Sequence, residues 1–330
     1  MTATLDDPLR GARRAVQASR FREAWETLVA QPEAVRRRSE WLLLAAMARW
    51  RLGEYAPSRE AALGARDGYR AARDPDGEMR AENVAAAGAF ALGDLPQAER
   101  GFRRAQLLAE RLGDELMRAR CANNLGNVAY YRGDDLQALS FYRLAETRFD
   151  RVGLPYGVAE TVINTGIVWR DMELLSDSLE AAERAFELAF RIGSPRLVAQ
   201  ALAMRGEALA LLGDHPLGHA QVRRALELAQ EQEDHVAEVD ALRILCTLEA
   251  DRDAARAEQM GRQAVTLARS LGQPWATAEA ERDLGSFLAR VGRGAEAAER
   301  FDAAAAGFES LGAEARAAQM LDRAAAARKG

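Results

Sequence analysis

Apolar residues recur with helical spacing in two successive stretches, 117–132 and 136–152, in the middle of the chain. Gly133 and Asp134 interrupt the pattern between the stretches, and Gly153 ends it. Glycine tolerates the left-handed backbone conformation that ends a helix, and an aspartate after it can cap the next helix. The pattern therefore predicts two antiparallel helices of about 17 residues, joined by a short turn.

This two-helix unit recurs along the chain at intervals of 40 residues. Glu173 takes the place of a turn glycine in one unit, whereas the others have Gly53, Gly93, Gly133 and Gly213, each before an acidic residue. A second series is alanine in every unit: Ala65, Ala105, Ala145, Ala185, Ala225, Ala264 and Ala304. A third series is always small: Ala46, Ala86, Gly126, Gly166, Gly206, Cys246 and Gly285. Three series in one register predict a stacked repeat protein, in which each unit contacts only its neighbours.

The prolines test this register independently, because proline fits the first turn of a helix and disrupts its interior. All nine prolines fall where a predicted helix begins, at Pro8, Pro32, Pro57, Pro75, Pro96, Pro155, Pro195, Pro216 and Pro274. We therefore predict an all-α fold, an α-α superhelix of about eight helix pairs with a C-terminal capping helix. The array is predicted to span 1–330 as one domain, with a short first repeat over 1–31, repeats over 32–73, 74–113, 114–153, 154–193, 194–233, 234–272 and 273–312, and the capping helix over 313–330.

Composition and charge narrow the class of protein. The net charge of −5 argues against nucleic acid as the main partner. The longest apolar run, near 41–48, is too short to cross a bilayer, and 1–10 lack the apolar stretch of a secretory signal. Cys121 and Cys246 lie in different repeats, which is typical of packing residues in a reducing cytoplasm. These observations predict a cytoplasmic protein that binds neither nucleic acid nor a membrane.

Residues that could carry catalysis or hold a metal are few. The sequence has no phosphate-binding glycine loop, no cysteine with a plausible histidine partner and no predicted strand to carry either. His215 and His219 have the i, i+4 spacing of metal ligands beside Asp214, but they are expected at an exposed turn without a further ligand. We therefore predict that the chain is not an enzyme and binds no metal or cofactor.

The repeat also resembles a known family. The residues that carry the resemblance are Leu125-Gly126, Gly133-Asp134, Ala138, Tyr142 and Ala145, and the pattern recurs as Leu284-Gly285, Gly292, Ala297, Phe301 and Ala304. It resembles the tetratricopeptide repeat (TPR) over essentially the whole chain, mostly in a 40-residue variant similar to that of kinesin light chains, Leu-Gly-Asn repeat adaptors, and bacterial Rap-type and MalT-type regulators. The chain departs from the family at positions 58, 178 and 218, where serine, serine and glycine replace the preferred alanine.

The resemblance implies that the first helix of each pair lines a concave groove. Counted from the small residue of each first helix, the groove-facing positions lie six, three and two residues before it and one after it. The predicted peptide-binding residues at these positions are Arg80, Asn83, Arg120, Asn123, Asn124, Asn127, Glu160, Asn164, Ile167, Gln200, Glu207 and Arg243.

The asparagines are the strongest signal among these positions. An asparagine carries a donor and an acceptor together, so it can bind the backbone of an extended peptide, and it is a poor residue for a helix interior. The alternative is that these amides bond between neighbouring helices or to water. Arg80 and Arg120 predict a surface that attracts anions, and Glu160, Glu207 and Asp240 predict an acidic continuation. The alternative for these charged side chains is that they are simply solvated.

We therefore predict a non-catalytic scaffold or adaptor that binds an extended peptide or a helix of a partner protein in the groove. A clamp for a chain-terminal carboxylate is not predicted, because Gln200 and Met204 occupy the later positions where basic residues are needed. Two alternatives stay open. One is a bacterial regulator that senses a signal peptide, and the other is a homo-oligomer that assembles through its end faces and leaves the groove unused.

Overall fold

The computed structural model describes residues 7–329, and it contains eighteen helices and no strand within them. The helices are α1 (Arg10–Gln17), α2 (Phe21–Val29), α3 (Glu33–Arg36), α4 (Ser39–Arg51), α5 (Tyr55–Ala71), α6 (Pro75–Ala91), α7 (Leu95–Leu112), α8 (Glu115–Arg132), α9 (Asp135–Arg151), α10 (Pro155–Asp171), α11 (Leu175–Ile192), α12 (Pro195–Leu211), α13 (His215–Glu231), α14 (His235–Leu248), α15 (Ala254–Ser270), α16 (Pro274–Arg290), α17 (Gly294–Ser310) and α18 (Glu314–Ala327). With α3 and α4 taken as one first helix, they form eight consecutive pairs followed by α18. The predicted all-α repeat fold is thereby confirmed.

The first helix of the second pair is broken, which the sequence did not predict. Pro32 precedes α3, a single turn, and the backbone at Arg38 is extended (φ −72°, ψ 140°) before α4 begins. The side chain of Arg36 donates to the carbonyl oxygens of Val29 and Gln31. These two bonds fasten the short turn to the end of α2, so that α3 does not continue into α4.

The turns inside the pairs have the conformations that their sequences predict. Gly133 has a positive φ of 84°, and the carboxylate of Asp134 accepts a hydrogen bond from the backbone N–H of Gln137 at 3.1 Å. This is the geometry of a helix cap. Glu173, in the place of the glycine, has the same left-handed conformation with a φ of 60°. Such a conformation is strained in a residue that carries a Cβ atom.

The small residues of the repeat stand where neighbouring helices approach most closely. The alanine series is buried in every repeat, with exposed fractions no higher than 1 %: Ala65, Ala105, Ala145, Ala185, Ala225, Ala264 and Ala304. A Cβ atom added to Gly126 would lie only 2.4 Å from a ring carbon of Tyr142 on α9, so glycine is required at this approach. The two series therefore set the spacing between helices in a close-packed interior.

The described chain divides into two compact units, one up to residue 124 and one from residue 125 onward. The first unit consists of α1 to α7 and the beginning of α8, and it buries Leu28 and Phe102. The second consists of the rest of α8 and α9 to α18, and it buries Tyr142, Phe287 and Phe308. No helix in residues 7–329 combines the length and the apolar character that crossing a membrane requires.

Candidate functional site

In the first unit, two of the predicted asparagines contact each other. Asn83 lies on α6 and Asn124 on α8, and the Nδ2 group of Asn124 donates to Oδ1 of Asn83 at 3.4 Å. Both side chains are half-buried, whereas Asn123 is buried and has a partner inside the structure. The bond between Asn83 and Asn124 is longer than the usual N–H···O distance of about 2.9–3.0 Å, so it is weak.

Arg80 and Arg120 lie one helical turn before these asparagines on the same helices. Both side chains are exposed, and Arg80 forms an i, i+4 ion pair with Asp76 at 2.9 Å. An exposed pair of this kind contributes little to stability, so it does not prevent the arginine from binding an external anion. The first helices of the first unit therefore present two amides and two cationic groups.

In the second unit, the asparagines form shorter bonds. Oδ1 of Asn127 accepts a hydrogen bond from the hydroxyl of Tyr142 at 2.7 Å and another from Nδ2 of Asn164 at 3.2 Å. Asn127 thereby links α8 to α9 and α10. For these amides, as for the pair in the first unit, the structure shows bonds between neighbouring helices.

The other predicted residues of the second unit differ in exposure. Glu160, Ile167, Gln200 and Glu207 are half-buried, and Arg243 is buried. Ile167 packs against the apolar core of the unit. These residues therefore do not form one continuous exposed surface.

Glu207 and Arg243 belong to a set of ion pairs between first helices, in which the arginines Arg170 and Arg243 are buried. Arg170 on α10 donates to Glu207 on α12 at 2.6 Å and to Asp171 at 2.7 Å. Arg243 on α14 pairs with Asp283 on α16 at 3.1 Å. The acidic surface predicted at Glu207 is therefore neutralised by an arginine of the same unit, and side chains predicted to line a groove bind one another.

Burial makes this pairing necessary, since an unpaired charge in a protein interior is strongly unfavourable. Burial alone would raise the pKa of Asp171, but the guanidinium groups of Arg170 and Arg316 outweigh it and hold this pKa well below the ordinary value. Burial likewise opposes ionisation of Asp283, but the guanidinium groups of Arg282 and Arg243 together outweigh it and lower the pKa of Asp283. Both carboxylates are therefore ionised at neutral pH.

Helices α16 and α18 reach across the second unit to α8 and α10. Trp275 of α16 stacks on Tyr131 of α8, with ring centroids 3.7 Å apart and 14° between the ring planes. Arg316 of α18 lies over the ring of Tyr130, with 4.5 Å between Cζ and the ring centroid, and donates to Asp171 at 3.1 Å. These contacts join the two ends of the second unit and close the face that its first helices form.

We name the groups around the Arg316 guanidinium the arginine box: Tyr130, Asp135, Asp171 and Trp275. Cζ of Arg316 lies 5.3 Å from the Trp275 ring centroid, so the guanidinium contacts two aromatic rings. Nη2 lies 3.4 Å from the carbonyl oxygen of Tyr130 and 3.8 Å from Oδ1 of Asp135. The hydroxyl of Tyr130 also donates to Asp171 at 2.8 Å. The box therefore offers a cation two rings, one carbonyl and two carboxylates.

Sequence reasoning missed the arginine box, because Arg316 and Tyr130 are 186 positions apart and the repeat register relates only neighbouring units. One signal was present. Arg170 and Asp171 end α10 at a position where α6, α8 and α12 have Phe90, Tyr130 and Ala210. A charged pair in an otherwise apolar series indicates that something of opposite charge faces it inside the fold.

The prediction for the histidines was wrong for His219, which is buried rather than exposed. Its Nε2 lies 2.5 Å from Oε1 of Glu249, which is also buried. Glu249 directly follows the end of α14, and its carboxylate reaches the histidine on α13 from there. No group of three or more side chains in residues 7–329 is arranged to hold a metal ion.

The two cysteines are free and buried. Burial raises the pKa of the Cys121 thiol to about 12 and that of the Cys246 thiol to about 12. Both thiols are therefore neutral at physiological pH, and a neutral thiol is a poor nucleophile.

The model of the tetratricopeptide repeat family matches residues 78–151. The match includes most of α6, all of α7 and α8, and α9, and it contains the asparagines of the first unit. The resemblance predicted from the sequence is thereby confirmed. No curated protein sequence matches the chain.

Solved structures of similar fold extend over nearly the whole chain. A Rap protein complexed with competence and sporulation factor is 14 % identical with a TM-score of 0.66, over 98 % of this chain and 96 % of that chain. The apo form of the quorum sensor NprR from B. thuringiensis is 12 % identical with a TM-score of 0.66, over 91 % and 86 %. A Rap conjugation gene regulator of a plasmid, in complex with a Phr peptide, is 14 % identical with a TM-score of 0.59, over 98 % and 94 %. At these identities the likeness shows the fold alone.

Proposed function

We propose that the chain is a binding protein that takes a peptide, or a segment of a partner protein, on the first helices of its repeats. The observation that carries the proposal is the amide pair of Asn83 and Asn124 in the first unit. Both side chains are half-buried, and their mutual bond of 3.4 Å is weak enough to be exchanged for bonds to a ligand. Because each amide has a donor and an acceptor, the pair can bind the backbone of an extended segment whatever its sequence.

Arg80 and Arg120 give this surface its charge. Their guanidinium groups are exposed one turn before the two asparagines. A planar guanidinium binds a carboxylate through two parallel hydrogen bonds, and opposite charges also raise the rate of encounter. The ligand that fits the first unit is therefore an extended segment with an aspartate or glutamate next to the stretch that the amides bind.

The second unit fits a ligand only if internal bonds are displaced. Asn127 is held by Tyr142, and Glu207 is held by Arg170. The first helices α10, α12 and α14 of this unit carry its other predicted residues, which are Glu160, Asn164, Ile167, Gln200 and Arg243. We therefore assign peptide binding to the first unit, and ligand binding to the second unit only where its internal bonds are displaced.

The class of ligand is supported by the structural neighbours. Two of them were solved with a bound factor or peptide. The proposed role for this chain is accordingly that of a non-catalytic scaffold or adaptor, with a peptide or protein segment as its partner.

A peptide library displayed on phage and selected on the wild-type chain tests this proposal. The affinity of each enriched peptide is measured by fluorescence anisotropy for the wild type and for the variant Asn83→Ala/Asn124→Ala. The matched control is Gln97→Ala/Gln137→Ala, which removes two exposed amides from second helices. We expect the asparagine variant to bind about tenfold more weakly, which corresponds to two hydrogen bonds, and the glutamine variant to bind like wild type. Equal weakening in both variants, or no enriched peptide, contradicts the proposal.

A second candidate, a regulator that senses a signal peptide, is favoured by the closed face of the second unit. Trp275 and Arg316 join α16 and α18 to α8 and α10, and a regulator of this kind would change its arrangement at such long-range contacts. Small-angle X-ray scattering with and without an enriched peptide separates the two candidates. A changed radius of gyration favours the regulator, and an unchanged one favours the scaffold.

A further inference from the structure

We infer that the arginine box is a recognition site for an arginine side chain of the partner, and that Arg316 occupies it in cis until the partner's arginine displaces it. The inference rests on the proposed function, because it names the chemistry that a ligand of the second unit must carry. Nothing in the repeat pattern requires such a site, since α18 follows the last of the eight helix pairs and Arg316 has no counterpart in the repeat register.

The box matches a guanidinium in shape as well as in charge. Cζ of the guanidinium lies 4.5 Å from the Tyr130 ring centroid and 5.3 Å from the Trp275 ring centroid, and its two terminal nitrogens reach Asp171 at 3.1 Å and the Tyr130 carbonyl oxygen at 3.4 Å. A lysine ammonium has the same charge, but it is neither planar nor able to donate in a fork along one edge. The site therefore selects arginine over lysine.

The box contains more acceptors than Arg316 satisfies. Asp171 is paired with Arg170 as well as with Arg316, whereas Oδ1 of Asp135 is buried without a hydrogen-bond partner and lies 3.8 Å from Nη2 of Arg316. Burial raises the pKa of Asp135 even though Arg316 opposes that shift. A guanidinium seated closer to this carboxylate would form the bond that Arg316 leaves unmade.

Arg316 is also a replaceable occupant. Its Nε is buried without a hydrogen-bond partner, so its own donors are not all satisfied in the box. The helix that carries it, α18, buries only three of its residues, Ala317, Met320 and Ala324. A helix with so small a buried face opens at a lower free energy than the interior of the unit.

Because Arg316 of the same chain occupies the arginine box, it lowers the apparent affinity of the box for a partner's arginine. A ligand that needs the box empty binds with an apparent affinity reduced by the fraction of molecules in which the box is open. When a partner's arginine takes the box, α18 loses the contact that joins it to α8 and α10. The closed face of the second unit is then released for the rest of the ligand.

Chemical rescue of Arg316→Ala tests the site without any partner. The variant empties the box and leaves Tyr130, Asp135, Asp171 and Trp275 in place, and methylguanidinium and methylammonium are then titrated and followed by NMR. We expect methylguanidinium to bind Arg316→Ala about tenfold more tightly than wild type, because two ring contacts and a charge-assisted bond become available. Methylammonium should bind the two proteins equally weakly.

Two further variants make the result specific. Arg323→Ala removes an exposed arginine from the same helix and should bind methylguanidinium as wild type does. Asp171→Asn in the Arg316→Ala background should abolish the tighter binding. If circular dichroism shows that Arg316→Ala does not fold, Arg316→Lys replaces it, and methylguanidinium should again bind this variant more tightly than wild type.

The proposal is overturned if methylguanidinium binds the folded Arg316 variant and wild type equally, or if methylammonium binds that variant as well as methylguanidinium does. Either result leaves the proposed binding of peptides to Asn83 and Asn124 intact, because that is measured with selected peptides on the first unit. Conversely, if the peptide selection fails, the proposed function is wrong, but the measured preference of the arginine box for methylguanidinium over methylammonium is unaffected.

Discussion

Replacing Arg170 by methionine removes a buried charge that pairs with two half-buried carboxylates of the second unit. In the folded chain this arginine is only 9 % exposed, and it donates to Glu207 at 2.6 Å and to Asp171 at 2.7 Å. Removing one partner of a fully buried ion pair costs about 3–5 kcal/mol. Glu207 loses its arginine in this variant, whereas Asp171 keeps Arg316 at 3.1 Å, so the loss lies at the lower end of that range. Methionine fills much of the arginine's volume, so we expect a loss in that range without a large contribution from packing.

Urea unfolding at pH 7, followed by far-ultraviolet circular dichroism, measures this loss. The matched control is Arg184→Met, which breaks an ion pair of equal length, 2.6 Å to Glu146, on the second helices α11 and α9. The side chain of Arg184 is 52 % exposed, so its pair contributes no more than about 1 kcal/mol. Equal losses in the two variants would refute the reasoning, because they would show that Arg170 is as well solvated as a surface residue.

The same comparison has a predicted dependence on pH. The pKa of Asp171 is lower in the folded chain than in the unfolded one, so its stabilising contribution is present above the unfolded pKa of about 3.9 and is lost as the pH falls further. Arg170→Met lacks part of this contribution. The difference in free energy of unfolding between wild type and variant should therefore narrow as the pH is lowered from 7 to about 3. A difference that stays constant contradicts the assignment.

Three further substitutions or reactions are predicted from the structure. Glu173→Gly should raise the free energy of unfolding by about 0.5–1 kcal/mol in a urea titration, because it relieves a left-handed residue, and a loss of stability would contradict this. Gly126→Ala should lower it by about 1–3 kcal/mol, because the new methyl group meets a ring carbon of Tyr142 at 2.4 Å, and an unchanged midpoint would contradict the close approach. Cys121 and Cys246 should react with a thiol reagent at pH 8 only after urea is added, because burial raises their pKa to about 12, and rapid reaction of the folded chain would contradict their burial.

The parts of the fold that sequence predicted are those with local or nearest-neighbour causes. The turn at Gly133, the left-handed Glu173 and the buried alanine series each depend on contacts within one repeat or between adjacent repeats. The 40-residue register contains that information directly. The break between α3 and α4 was missed because it depends on Arg36 bonding to the end of the preceding helix.

In the candidate site, too, the local contacts were predictable from the sequence and the long-range contacts were not. The asparagine positions were predicted from the register, and the structure places Asn83 with Asn124 and Asn127 with Asn164 on neighbouring helices. The contact of Arg316 with Tyr130 was not predictable in this way. It depends on how small rotations between successive helix pairs add up over several repeats, and no single repeat encodes that sum.

The structure brings α16 and α18 of the second unit against α8 and α10 of the same unit. A disulfide between α18 and the end of α8 is the most direct test of this contact. A Cβ atom added to Gly133 would lie 3.6 Å from the Cβ of Ala315, which is within the range of a disulfide. The variant Gly133→Cys/Ala315→Cys is oxidised in a background without Cys121 and Cys246. The control is Gly193→Cys/Ala315→Cys in the same background. Gly193 has the same left-handed backbone conformation as Gly133, but a Cβ atom added to it has no neighbouring atom within 4 Å. The account predicts rapid intramolecular cross-linking of the first pair and none of the second, read as a mobility shift on a non-reducing gel. A first pair that stays reduced in the folded, monomeric protein would contradict it.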